Sequence, residues 1–152
     1  MCDGPTVCNS SCLIALKAIG QLELLNQLYE TVVIPDAVLV ECGGSLPDWC
    51  QVVTMSSQPL VASLRMHVGL GESEAIALTS ELSAIRIILD DKKARRMARQ
   101  MSLPVTGTLA VLLRARQESL IVSVKDVIDD LGEVNFFLSD ELIDEVLRRA
   151  GE

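Results

Sequence analysis

Apolar residues along this chain follow two rhythms that alternate. Short β-branched or aliphatic runs occur at Thr6-Val7-Cys8, Thr31-Val32-Val33-Ile34, Gln51-Val52-Val53-Thr54, Arg86-Ile87-Ile88-Leu89 and Pro104-Val105-Thr106. Runs this short, bounded by turn residues, predict strands. Between them, apolar positions recur at helical spacing. Leu13, Ile14, Leu16 and Ile19 form a stripe ended by Gly20, with Ser11 as the expected N-cap. Leu24, Leu25 and Leu28 predict a second helix over 22–29. Pro35 is expected at the first position of a third, with Ala37, Val38 and Val40 behind it and Gly43-Gly44 as its stop. A loop over 45–49 and a short helix over 59–67 follow. Gly69-Leu70-Gly71 reads as a turn opening a helix over 72–82. A basic helix is expected over 92–101, and Thr108 is expected to cap a helix over 109–118. Two polar, acidic helices, 124–131 and 140–150, close the chain with Gly132 between them. Strands alternating with helices predict an α/β fold with a parallel sheet. Repeats and long linkers are absent, so residues 1–152 read as one domain, with an acidic helical extension over about 123–152.

Composition changes this picture in three ways. The chain is 49% hydrophobic and 3% aromatic, so its core must be aliphatic. Tyr29, Trp49, Phe136 and Phe137 are its only aromatic residues, which argues against stacking platforms for single-stranded nucleic acid. The formal net charge of -8 argues against a broad basic surface. That charge is concentrated, however: residues 126–152 hold nine acids and two bases, whereas the first 125 hold 12 acids and 11 bases. The body is therefore near neutral, and a phosphodiester ligand stays compatible with it. Mean hydropathy is +0.37, but no apolar run approaches the roughly 18 residues of a membrane span. The start, Met1-Cys2-Asp3-Gly4-Pro5, has no basic segment of the secretory kind. Five cysteines at 2, 8, 12, 42 and 50, with His67 as the single histidine, suit neither a disulfide framework nor a zinc site. They read as reduced thiols of a cytoplasmic protein.

In open parallel sheets, ligands bind beyond the carboxyl ends of the strands. Asn9 ends the first expected strand, and Asp90 and Asp91 end the fourth. Glu41 lies on the helix after the second, while Glu72 and Glu74 open the long helix after the third. An all-oxygen set of this kind suits Mg²⁺ or Mn²⁺, and such cations serve phosphoryl transfer. Each residue also has an ordinary structural use. Asp91 fits an N-cap, Glu72 and Glu74 suit a first helical turn, Glu41 a solvated face and Asn9 a turn. Their shared placement at strand ends is what points to a site. Lys92, Lys93, Arg95, Arg96 and Arg99 follow directly, either as a solvated helix face or as contacts for phosphates flanking a scissile bond.

Several of these stretches together resemble the PIN-domain superfamily of metal-dependent ribonucleases, which includes the VapC-type toxins, and more closely a branch of prokaryotic PIN-like proteins. They are Val7-Cys8-Asn9-Ser10-Ser11-Cys12-Leu13-Ile14, Val33-Ile34-Pro35 with Val38 and Glu41, Gly69-Leu70-Gly71-Glu72-Ser73-Glu74-Ala75-Ile76-Ala77-Leu78, Leu89-Asp90-Asp91-Lys92-Lys93-Ala94-Arg95 and Gly107-Thr108-Leu109. The closing stretch over 139–152 is similar as well. The resemblance implies a three-layer α/β/α sandwich around a central parallel sheet of about five strands. It implies an acidic quartet that binds one or two divalent metals and hydrolyses RNA by activated water. The second acid then falls on Glu41, the third on Glu74 with Glu72 close by, and the fourth on Asp91 with Asp90 adjacent. Ser11 matches a small hydroxyl residue near the first acid. The departure is at that first acid, where Asn9 offers an amide oxygen without a charge. Two readings follow: a ribonuclease impaired by Asn9, or a degenerate module that binds RNA or protein without cutting. The resemblance further implies a homodimer and a cognate antitoxin. A phosphoacceptor receiver-like domain fits less well, because the Asp pair comes at the fourth strand and no lone Asp ends the third.

Overall fold

The structure, a computed structural model, describes residues 4–152; Met1, Cys2 and Asp3, and with them the expectations placed on Cys2 and on the start of the chain, lie outside the described residues. Five short strands form one sheet: β1 (Pro5–Cys8), β2 (Thr31–Ile34), β3 (Cys50–Val52), β4 (Arg86–Ile88) and β5 (Val105–Thr106). All pair in parallel, in the order β3-β2-β1-β4-β5. Parallel neighbours need crossovers, and helices supply them. They are α1 (Ser10–Ala18), α2 (Glu23–Leu28), α3 (Asp36–Glu41), α4 (Gln58–Leu64), α5 (Leu70–Leu82), α6 (Lys92–Gln100) and α7 (Thr108–Gln117). Two more, α8 (Val124–Glu133) and α9 (Asp140–Arg149), close the chain.

Because side chains alternate across a strand, each buried strand feeds two cores. Cys8, Val32, Ile34 and Ile88 point into one, with residues of α1, α2, α7, α8 and α9. Val7, Val33, Ile87 and Leu89 point into the other, with residues of α4, α5 and α6. That is the expected three-layer α/β/α sandwich with a five-stranded parallel sheet. Both faces are aliphatic, and Ile87, Ile88 and Leu89 are fully buried. The closing helices belong to the first core: Val124, Val127, Ile128, Leu131 and Val146 are buried in it.

Helix starts differ from expectation at several places. Asn9, not Ser11, is the N-cap residue of α1, and Pro35 is the N-cap of α3 rather than its first residue. Gly69 precedes α5, so Leu70 and Gly71 lie inside its first turn. Gly107, not Thr108, precedes α7. Gly132 sits within α8, which ends at a left-handed Asn135. β3 covers Cys50–Val52, one residue earlier at its start than expected. At α3 and α7 a carboxylate from elsewhere in the chain, Glu74 or Asp90, meets the first N–H groups of the helix.

Candidate active site

The strand order reverses between β1 and β4, and this switch point is where open parallel sheets leave a crevice. A cleft of about 430 Å³ opens there. It is lined by Asn9, Ser10, Ser11, Glu41, Glu72, Asp90 and Asp91, by Gly69 and Gly71, and by Phe136, Phe137 and Leu138. Adjacent strand ends place Asn9 beside the Asp pair: Val7 pairs with Ile87 and Cys8 with Ile88, and the Asn9 N–H still donates to the Ile88 carbonyl at 3.2 Å.

Asn9 is 4% exposed. It holds the N-cap backbone conformation, yet its side chain caps nothing. Its Oδ1 is buried with no hydrogen-bond partner. Leaving such an acceptor unsatisfied costs about 1–3 kcal/mol, and a buried orphan of this kind is explained by an ordered water or an ion at the site.

Three of the carboxylates around it use one oxygen each on the protein. Glu41, at the last position of α3, accepts from Ser10 Oγ at 2.7 Å through Oε1. Glu72 accepts from the Gly69 N–H at 3.2 Å through Oε1. Burial raises the Glu72 pKa; the Gly69 N–H partly offsets this, and the negative charges of Asp91 and Glu41 add to the rise. Those two charges place Glu72 in the same field as the other acids. Asp91 caps α6, accepting from the Ala94 N–H at 2.9 Å through Oδ2. Gly71 makes this approach possible: a Cβ there would fall inside the Glu41 carboxylate.

Two expected ligands are engaged elsewhere. Glu74 points to α3, where its Oε1 accepts from the Ala37 N–H at 3.0 Å, and it does not line the cleft. Its place one helical position pair beyond Glu72 turns it toward that helix start. Asp90 lines the cleft but spends both oxygens on Thr108, at 2.9 Å to the backbone N–H and 2.5 Å to Oγ1. It thereby caps α7 from outside. As the side chains lie, no group of three or more His, Cys, Asp or Glu residues stands close enough to hold a metal ion among the described residues.

None of the five cations of α6 lines the cleft. Arg95 is half-buried and donates to the Leu89 carbonyl at 2.6 Å, and burial followed by the neighbouring Arg99 charge lowers its pKa. Gly107 leaves room for this, since a Cβ there would stand 2.7 Å from Arg95 Nη1. Lys92, Lys93, Arg96 and Arg99 are exposed, while Ala94 and Ala98 form the buried side. Among the described residues, none of these four cations has a carboxylate within ion-pair distance.

The family DUF3368, described as a PIN domain, matches residues 5–152. The chain belongs to the PIN-domain family. Searches of curated proteins and of solved structures return no match. Membership of a family with nuclease character gives the crevice of this PIN domain its chemical context. Sequence reasoning passed over Ser10, which holds Glu41, and Gly71, which admits it. It also passed over the Phe136–Leu138 wall, because that wall comes from the part of the chain that reads as an acidic tail. The signal for Gly71 was present in Gly69-Leu70-Gly71, read there only as a turn. For the membrane question, no helix among the described residues is long and apolar enough to cross one.

Proposed function

We propose that this PIN domain is a divalent-metal-dependent ribonuclease, with the cation held by Asn9, Glu41, Glu72 and Asp91. The buried, unpartnered Oδ1 of Asn9 carries the reading. It is an oxygen donor fixed at the switch point with nothing in the protein to satisfy it. Glu41, Glu72 and Asp91 each keep a second oxygen beyond the one bonded to Ser10, Gly69 or Ala94. An all-oxygen donor set of this composition fits Mg²⁺ or Mn²⁺. When bound, such an ion activates water and offsets charge on the phosphate and the leaving oxygen. The chain's own contribution is placement. Ser10 holds Glu41 at the cleft, Gly69 holds Glu72, and α6 fixes Asp91 while presenting Lys92, Lys93, Arg96 and Arg99 to flanking phosphates.

In this reading Glu72 takes the place first expected for Glu74, whose carboxylate serves α3. Asp90 is a positioning residue, tying the end of β4 to α7. The test is cleavage of RNA by the purified chain with Mn²⁺. Glu72→Gln and Asp91→Asn should abolish cleavage, and Glu74→Gln should leave most of it. Persistence of cleavage in Glu72→Gln, with loss in Glu74→Gln, reverses that assignment.

The uncharged amide of Asn9 favours a second reading, a PIN domain that binds RNA without cutting it. Removing one ligand charge weakens a site whose affinity rests on ligand charge. Asn9→Asp decides between them. For an active enzyme, the variant should bind Mn²⁺ more tightly by calorimetry and cut faster. For a binding module, the parent should show no metal-dependent cleavage, and the variant alone should gain it.

Exposed Ile14 and Val40 near a groove lined by Leu13, Lys17, Cys42 and Leu46 support docking of a second copy or an antitoxin partner. Light scattering of the purified chain should give twice the monomer mass if two copies meet. A monomer mass removes the homodimer.

A further inference from the structure

The connector between α8 and α9 brings three consecutive apolar residues, Phe136, Phe137 and Leu138, to the acidic cleft. It is fixed at both ends. Asn135, at φ 62°, turns the chain out of α8, and the Phe136 N–H donates to the Leu131 carbonyl at 2.9 Å. At the other end Ser139 Oγ accepts from the Leu142 N–H at 3.3 Å and caps α9. Phe136 and Leu138 turn inward and pack against the first core. Phe137 turns outward and is 76% exposed. Only one ring edge approaches α8, with Cε1 3.9 Å from where a Cβ on Gly132 would stand.

Single exposed apolar residues are ordinary on protein surfaces. Three features set Phe137 apart. It lines the same cleft as Asn9, Glu41, Glu72 and Asp91. Its backbone is held on both sides, so presenting the ring to a ligand requires little further ordering. The unpaired cations of α6 begin immediately after Asp91, which lines the cleft. A ring, a divalent cation that the oxygen donors would hold and a row of cations would together complement an unpaired nucleotide: base, phosphate and neighbouring phosphates.

We propose that Phe137 is a base-stacking residue, whose exposed face receives an unpaired base of single-stranded RNA next to the phosphate seated in the cleft. The proposal rests on the ribonuclease reading for the phosphate's position, but not on cleavage itself. Stacking needs no counter-charge, so it supplies affinity where the acidic cleft alone repels a polyanion. Every base has a π-face, so this contact selects single strands over duplex with little preference for sequence.

The test measures binding, by fluorescence anisotropy of a labelled oligouridylate of about ten nucleotides with the full chain in Ca²⁺. A second probe has the same length with abasic sites throughout. The wild-type chain should prefer the base-bearing strand. Phe137→Ala should weaken that binding by about tenfold and leave the abasic strand unaffected, while Phe137→Tyr restores it. In Phe137→Trp, the added indole emission should be quenched by the base-bearing strand and not by the abasic one. The ring is exposed, so all these variants should melt with the parent. Equal binding of the oligouridylate by wild type and Phe137→Ala overturns the proposal and leaves the ring to a protein contact. Equal wild-type affinity for both strands, or no binding of either, also overturns it. Binding that depends on Phe137 in a chain that never cleaves RNA refutes the nuclease reading alone. RNA cleavage by a chain whose oligouridylate binding is indifferent to Phe137→Ala refutes stacking alone.

Discussion

Asn9, Glu72 and Glu74 differ in what their side-chain oxygens do in the folded chain, and spacing alone does not reveal the difference. Asn9 has the backbone of an N-cap and a side chain that caps nothing. Glu72 faces the other acids, while Glu74, two residues on, faces α3. On a helix, two residues advance by about 200°, so the two side chains leave α5 in nearly opposite directions. The raised Glu72 pKa has a direct consequence for stability. Its folded pKa lies above the ordinary value, so its contribution is full at acid pH and is lost as pH rises through the raised value. In EDTA at neutral pH, Glu72→Gln should therefore be more stable than wild type. The margin should be below about 1 kcal/mol, because the group is half exposed and screened. The difference should close as pH falls below 4.5, the ordinary value. Thermal melts across that range measure it, and a variant less stable at pH 7 contradicts it. Gly71→Ala separates site from fold in the same way. The added Cβ displaces the far end of a flexible side chain, Glu41, so stability should change by less than about 1 kcal/mol. Mn²⁺ affinity should drop at least several-fold by calorimetry, and unchanged affinity would remove Glu41 from the site.

At the scale of elements, this chain caps helices with carboxylates from distant positions. Glu74 serves α3, and Asp90 serves α7. Glu152 serves α8, accepting from the N–H groups of Val124 at 2.7 Å and Lys125 at 3.1 Å and from Ser123 Oγ at 3.0 Å. Thr108 therefore does not cap α7 as local sequence suggests, and Pro35 stands at the N-cap of α3 rather than at its first position. The orphan N–H groups of a helix start find partners that are neighbours only after folding. Asp91 and Glu72 are counterexamples: their contacts at the starts of α6 and α5 are local, at three residues' distance, and the cap by Asp91 was legible from sequence. The three bonds to Glu152 also lower its pKa, the Val124 N–H foremost. Glu152→Ala should destabilise the domain, as loss of a cap does, with the largest gain in amide exchange at the start of α8. Unchanged exchange there would show that the C-terminal carboxylate is idle.

For the whole molecule, the strand order places the site, and the closing helices complete it. Residues 123–152 read as an acidic extension, but they contribute Val124, Val127, Ile128, Leu131 and Val146 to the first core. At about 1.5–3 kcal/mol for each buried side chain, their sum rivals the typical net stability of a domain, about 5–15 kcal/mol. A chain ending at residue 122 should therefore lose its cooperative unfolding transition in calorimetry. A retained transition would mark the segment as an appendage after all. The same helices carry Phe137 to the cleft, so the aromatic wall comes from the part of the sequence that looked least related to chemistry. The sequence by itself determined the α/β class, the alternation of strands and helices, and the strand-end acids. Each of these follows from periodicity or from where a short apolar run stops, and both are local. Only the tertiary structure decided that Glu72 faces the cleft and Glu74 does not, that Asn9 is buried without a partner, and that Phe137 stands beside the acids. Those facts depend on side-chain direction and on contacts between segments far apart in the chain, which no local pattern encodes.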